Sequence, residues 1–381
     1  MANPNPDQFS EVTKTGWLSR IGGSLVGFLL GLILIPASIS ALVWNEHRAV
    51  QALNALERGL GATVTISSST IDEKNDQRLV HLTGALTSAA TAMDPATKFS
   101  VKHALRLQRK VMMYQWVEQV SEKVTNQVGG SQITEKVYDY TQAWVSTPQH
   151  SQRFKVPVGH HNPPMPLQSE VFNASPIKLG AFTLDPTLVE KIDQFEAVID
   201  LGPAPSGYQL SANTFYRGKD PTQAEIGDLR ITYQAAITTD YSIVAKQSKN
   251  VLVPYKDNES GYVIALLEVG QLSLQKMFAE QSDTENLLTW LLRLGGLLFV
   301  FLGLRLLFGP LEMLAAVVPF LQSIVGFSAG IIAFLLAIPI TLITIALAWI
   351  YVRPLLGVGL VLLSLLTLFG LRTLIKNKST S

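Results

Sequence analysis

Apolar residues in this chain follow two regimes: long unbroken runs toward both ends, and short alternating stretches between them. Residues 21–44 hold 24 positions without a charge. At about 1.5 Å rise per residue, such a run crosses a hydrocarbon core of roughly 30 Å. A secretory signal is the competing reading, because Ser38, Ser40 and Ala41 imitate a cleavage site. Its apolar region would extend only about 7–15 residues, so a retained anchor is expected. Three further runs, 287–308, 324–350 and 355–371, predict three more spans, and Tyr351, Val352, Arg353 and Pro354 leave room only for a tight turn between the last two.

The 242 residues from 45 to 286 have ordinary polarity and read mainly as β structure. Leu229, Ile231, Tyr233, Ala235 and Ile237 alternate with Arg230, Thr232 and Gln234, the period of a strand with one buried face. Leu105, Leu107 and Val111 alternate with Arg106, Gln108 and Lys110, and a change of face near Met112 and Met113 suggests a bulge before the pattern runs on to Val120. Gly129 and Gly130 offer a turn, and 133–145 an antiparallel return. Shorter strands are expected at 63–69, 78–84, 250–255 and 262–269. Asp185 followed by Pro186 predicts a capped helix that buries Leu188, Val189, Ile192 and Phe195. Residues 46–60 and 272–286 have helical composition and abut the first two spans, so they are expected to prolong them as stalks, with Gly59 and Gly61 ending the first.

Composition agrees with a membrane protein: 48% hydrophobic and 15% charged residues, with a mean hydropathy of +0.26. A net charge of +1 removes the electrostatic footprint of a nucleic-acid binder. The absence of cysteine excludes disulfides, thiol catalysis and thiolate metal sites. Four spans put both termini on one side, and Lys14, Arg20, Arg305, Arg372, Lys376 and Lys378 favour the cytoplasm for it, although Arg48, Lys276 and Arg353 flank the other face. The expected layout is a cytoplasmic segment 1–20, spans 21–44, 287–308, 324–350 and 355–371, an extracytoplasmic domain 45–286, a cytoplasmic or interfacial connector 309–323 and a cytoplasmic tail 372–381.

Few motifs carry chemistry. Gly326, Ser328 and Gly330 match a hydrolase nucleophile elbow, but the required strand before the serine is replaced by an apolar helical run. Gly326 and Gly330 read better as glycines on one helix face, a pattern repeated by Gly23, Gly27 and Gly31 in the first span. Those stripes predict close helix packing, either within the chain, first span against third or fourth, or between subunits. Arg293 and Arg305 are the only ionised residues within the spans. They line a pore in one reading, and in the other they snorkel to an interface, which their positions near span ends permit. His160 and His161 are neighbours that point apart on an extended chain, a poor arrangement for chelation. Residues 72–76 lack the glycine and terminal glutamate of a calcium loop. No catalytic, cofactor or metal site is expected.

Residues 107–118 (LQRKVMMYQWVE), 226–231 (IGDLRI), 289–308 (TWLLRLGGLLFVFLGLRLLF) and 348–355 (AWIYVRPL) resemble the transmembrane protein 43 family, also called LUMA. Met112 stands where the family is expected to carry an acid, and the first 20 residues have no evident counterpart. The resemblance implies one N-terminal span, a large extracytoplasmic or luminal domain and three C-terminal spans. It also implies association with other membrane proteins in the endoplasmic reticulum and inner nuclear membrane of eukaryotes, or in the inner membrane of a bacterium with the domain in the periplasm. The resulting expectation is an α+β membrane protein. Four transmembrane helices carry a β-rich antiparallel sheet or barrel between the first and second, and the chain acts as a self-associating scaffold in the lipid bilayer. An oligomeric channel for cations or small solutes is the alternative.

Overall fold

The computed structural model describes residues 6–350, together with Gly359, Leu362 and Leu366. The expected fourth span 355–371, the turn before it and the tail 372–381 lie outside the described residues, those three positions apart. Within them the chain forms two compact units, one of 6–9, 55–121 and 137–281 and the other of 10–54, 122–136 and 282–350.

Five helices occur among the described residues: α1 (Trp17–Ala62), α2 (Pro186–Val189), α3 (Leu274–Leu307), α4 (Gly309–Ala315) and α5 (Pro319–Trp349). Three of them, α1, α3 and α5, are long and apolar enough to cross a membrane. With 46 residues, α1 extends about 69 Å at 1.5 Å per residue, more than twice a hydrocarbon core. Its polar C-terminal third is therefore the expected stalk, and residues 274–286 do the same for α3. Of the two glycines expected to end α1, Gly59 lies within the helix, where Ile264 and Phe278 pack in the place a Cβ would take, and the helix stops at Ala62, just past Gly61. By contrast α2 is a single turn, capped as predicted by Asp185 Oδ1 accepting from Thr187 N at 2.9 Å, with Ile192 buried after the helix has ended.

The β-rich unit holds a small barrel and the greater part of an open sheet around one core. The open sheet runs Gln8–Thr15, Gln132–Val145, Ala104–Asn126, Leu229–Ile237, Thr214–Arg217, Gln209–Ser211. The segment 1–20, expected only as a cytoplasmic stretch, thus contributes an edge strand, Gln8–Thr15, to this sheet. Five strands close the barrel: Leu79–Ser88, Ile177–Leu179, Phe182–Leu184, Val251–Val253 and Asp240–Ser248, the last pairing back onto the first. Leu107, Val111, Phe182, Phe215, Tyr233 and Ile243 meet in the shared core.

Two details of the predicted strands change. Met112 and Met113 sit in unbroken register opposite Arg230 and Leu229, Met113 buried and Met112 exposed, so no bulge reverses the face there. The irregularity lies between Ala236 and Ile237 instead, and it turns Ile237 outward while Ala236 is buried. Arg106, assigned by alternation to the wet face, is 9% exposed and donates to Asn173 Oδ1 and to the carbonyls of Glu190 and Ile192.

Candidate charge site on the membrane helices

In the helical unit α1 and α3 run antiparallel, and glycines set how closely. A Cβ at Gly31 would lie 2.7 Å from the Gly303 carbonyl oxygen, and one at Gly303 would lie 2.6 Å from Ile35 Cγ1. Leu42 fills the space beside Gly296, and Leu306 packs at 3.5 Å from the Cβ position of Gly27. Such contact lets backbones approach where lipid offers no hydrophobic drive for association. The stripe thus packs against α3, not against the third span. Gly23 and Gly330 have nothing within 4 Å of their Cβ positions, and Gly330 lies with Phe301, Phe327 and Phe334 along an apolar groove of about 470 Å³. Gly326 makes room for a carboxylate: its Cβ would sit 2.8 Å from Glu312 Oε1.

Above the glycine contacts, the first polar residues after the apolar run of α1 meet a matching face of α3. Glu285, Thr289 and Arg293 are spaced four apart, hence on one side of the helix. Arg48 donates to Glu285 Oε2 at 2.6 Å and to Thr289 Oγ1 at 3.3 Å, and Asn45 Nδ2 donates to the Thr289 carbonyl at 3.2 Å. One turn further along α3, Arg293 Nε and Nη2 engage both oxygens of Glu46 at 2.6 and 2.7 Å, the bidentate geometry that strengthens and orients a charge pair. Trp349 of α5 adds a third donor, its Nε1 lying 2.5 Å from Glu46 Oε2. The Arg293 guanidinium lies 4.7 Å from the Trp290 ring centroid and 5.1 Å from that of Trp349, where the electron-rich faces attract a cation. Glu46 is 1% exposed.

A buried carboxylate of this kind is stable only while its counter-charge and donors remain, because each unpaired ion would face a desolvation cost of several kcal/mol. Beside the pair is a cavity of about 190 Å³ lined by Glu46, Asn286, Thr289, Trp290, Arg293 and Trp349. Its aromatic walls suit the headgroup level.

Arg305, the second predicted charge, pairs with Glu312 of α4 at 2.5 Å. Neither arginine merely snorkels: each has an acidic partner. Sequence reasoning missed Glu46 as the partner of Arg293 because it stands two residues beyond the apolar run; the available signal was the first acid after the run, separated from Trp44 only by Asn45.

The β-rich unit has its own buried charge cluster. Asp94 accepts from Arg109 Nη1 at 2.5 Å, Tyr233 OH at 2.6 Å, Thr97 Oγ1 at 2.9 Å and the Ala96 amide at 2.9 Å. Burial works to raise the Asp94 pKa, but these four donors outweigh it and hold the carboxyl below the usual range. Further along the unit, His160 is 2% exposed and stacks on Tyr140 at 4.0 Å, with its ring nitrogens against Val156 O and Asp7 Oδ1, whereas His161 is exposed. The two histidines diverge. Among the described residues no three His, Cys, Asp or Glu side chains converge as metal ligands.

The profile of the family described as Transmembrane protein 43 matches residues 113–354. Transmembrane protein 43 of Rattus norvegicus is 30% identical over 380 residues, covering 96% of this chain and 94% of the relative. The Homo sapiens protein of that name is 29% identical over 381 residues with the same coverage, and the Drosophila melanogaster homolog 34% over 297 residues, 74% of this chain and 78% of the homolog. No solved structure matches.

Proposed function

Since the chain belongs to the Transmembrane protein 43 family, we propose that it is a multi-pass membrane scaffold, whose β-rich unit organises protein complexes or membrane while its helices self-associate. One observation carries this reading: Arg293 and Arg305, the two charges a conduit would need, are each neutralised within the helical unit by Glu46 and Glu312. Ionised groups spent on internal pairs hold helices in register; they do not present a charged wall to a permeating ion. The reading includes no catalytic step, and its partners are the bilayer, further copies of the chain and other membrane proteins. It places most of the β-rich unit on the extracytoplasmic face, the periplasm for an inner-membrane protein of a bacterium. The test is reconstitution. The purified protein in liposomes is expected to be oligomeric and to give no ion flux above empty vesicles. Flux abolished by Arg293→Ala or Arg305→Ala would replace the scaffold with the channel.

A further inference from the structure

The strands Ala104–Asn126 and Gln132–Val145 end in a turn that is built into the helical unit. Gly129 and Gly130 take φ of +88° and +80°, a region open to glycine, and this tight turn frees one face of Gly130. Trp17, the first residue of α1, packs against Gly130: a Cβ there would lie 2.4 Å from Trp17 Cδ1 and 3.1 Å from Trp17 Cβ. One turn along α1, Arg20 Nη1 donates to the Gly130 carbonyl at 2.6 Å. The same turn reaches the connector between α3 and α5: the Gly129 amide donates to the Val317 carbonyl at 2.9 Å, and Trp17 Nε1 donates to the Met313 carbonyl at 2.8 Å. Met313 lies in the last turn of α4, where its carbonyl also accepts from the Ala316 amide at 3.2 Å, and Val317 lies two residues beyond the helix, in a connector whose open carbonyls would be costly beside a bilayer. Three separate stretches of chain are thereby joined through two backbone acceptors, one carbonyl of the turn and one indole.

We infer that this turn is a strap which locks the N-terminal end of α1 to the α4–α5 connector, and that residues 127–131 share one membrane face with Trp17 and Met313. The inference rests on reading α1, α3 and α5 as spans. It assigns a short part of the large insert to the face opposite the Glu46–Arg293 end of the spans, since residues 17 and 46 bracket the apolar run of α1. The arms of the strap carry Glu122, Lys123, Glu135 and Lys136, with Lys136 Nζ 3.7 Å from Glu122. Acyl chains cannot solvate that charge density, so the arms occupy a path screened from lipid by water or protein.

The cysteine-free chain allows a direct test. In Trp17→Cys/Gly130→Cys the two Cβ atoms stand within reach of a disulfide once the indole is gone. With a protease site introduced at exposed Ala90, oxidised native membranes are expected to yield fragments that remain joined until reduction. Fragments that separate without reductant, in a sample whose cysteines both react after solubilisation, would overturn the strap. Because Gly130→Cys also strains the turn, a second measurement leaves it intact. Val128→Cys and Leu314→Cys, at positions 87% and 59% exposed, are expected to react with an impermeant thiol reagent from the same side of sealed vesicles. Labelling from opposite sides would refute the shared face whatever the disulfide shows.

Discussion

The β-rich unit and the helical unit each bury a carboxylate–arginine pair, and they keep it by different means. Asp94 is saturated by four donors drawn from a loop, two strands and a backbone amide, so its charge is spread over short hydrogen bonds inside a packed core. Glu46 has three donors from two side chains, and its arginine is flanked by indole faces, Trp290 being 66% exposed. The first arrangement suits a site where water is excluded on every side. The second suits the boundary where apolar helix ends and headgroups begin, where a cation retains an aromatic and partly wet surround. Buried pairs are weak evidence of net stabilisation, but each is costly to break from one side.

The largest effect should therefore come from stranding Asp94. Arg109→Met is expected to cost about 3–5 kcal/mol, as uncompensated buried charges do, read as a loss of denaturation midpoint in detergent. Adding Asp94→Asn should restore part of it, because the remaining amide still accepts from Tyr233 or Thr97. Stranding Arg293 by Glu46→Gln should cost less, about 2–3 kcal/mol, since the arginine keeps its indole contacts and can swing toward the headgroups. If Glu46→Gln proved as damaging as Arg109→Met, the helical pair would have to be as fully desolvated as the β-unit pair, and the contrast between them would collapse.

How far each pair was legible follows from the same difference. Long apolar runs announced α1, α3 and α5, and strict alternation announced Leu229–Ile237, because those patterns are local consequences of burial on one face. The Asp94 cluster gave no such signal. Arg106 looks like a wet-face residue in an alternating strand, while Arg109 interrupts the apolar parity of Leu107 and Val111, and only the loop that brings Asp94, and the turns that bring the Glu190 and Ile192 carbonyls, make their burial affordable. Arg293 was legible as an anomaly within a span, but its partner was not, because the pairing of α1 with α3 depends on Gly31, Gly296 and Gly303 approaching across more than 250 positions of sequence for Gly31 and Gly303. The closed barrel was open to either reading, since strand patterns do not say whether the last strand pairs with the first.

Packing at the glycines gives a third, smaller contrast, now within the helical unit. Gly31→Leu must displace the Gly303 backbone, and is expected to cost about 1–3 kcal/mol as overpacking does. Gly23→Leu enters open space and should leave the thermal midpoint unchanged. Equal effects at the two positions would mean that helix propensity, and not contact with α3, dominates the stripe.

The smallest predicted effect concerns pH and belongs to the β-rich unit. His81 is 4% exposed, held between Thr65 Oγ1 at 3.2 Å and the Leu272 carbonyl at 3.1 Å. Burial lowers its pKa, opposed in part by the hydrogen bond to Leu272, so the imidazole stays neutral in the folded protein at pH values where the unfolded chain has begun to take up a proton. The unfolded state then binds more protons, and stability rises with pH across the interval between the two pKa values. The contribution is complete above the ordinary histidine value of about 6.5 and is lost as pH falls toward the lowered folded value. Asp94 acts in the same direction but in a lower window, below the ordinary carboxylate value of about 3.9, so the two do not overlap near pH 6. Denaturation midpoints measured from pH 7.5 down to pH 5 should therefore decline in the parent chain. His81→Gln, which keeps a donor for the Leu272 carbonyl and has no proton to gain, should flatten that decline even if its midpoint at pH 7.5 is lower. An unchanged slope in His81→Gln would assign the decline to another group and leave His81 as a packing residue alone.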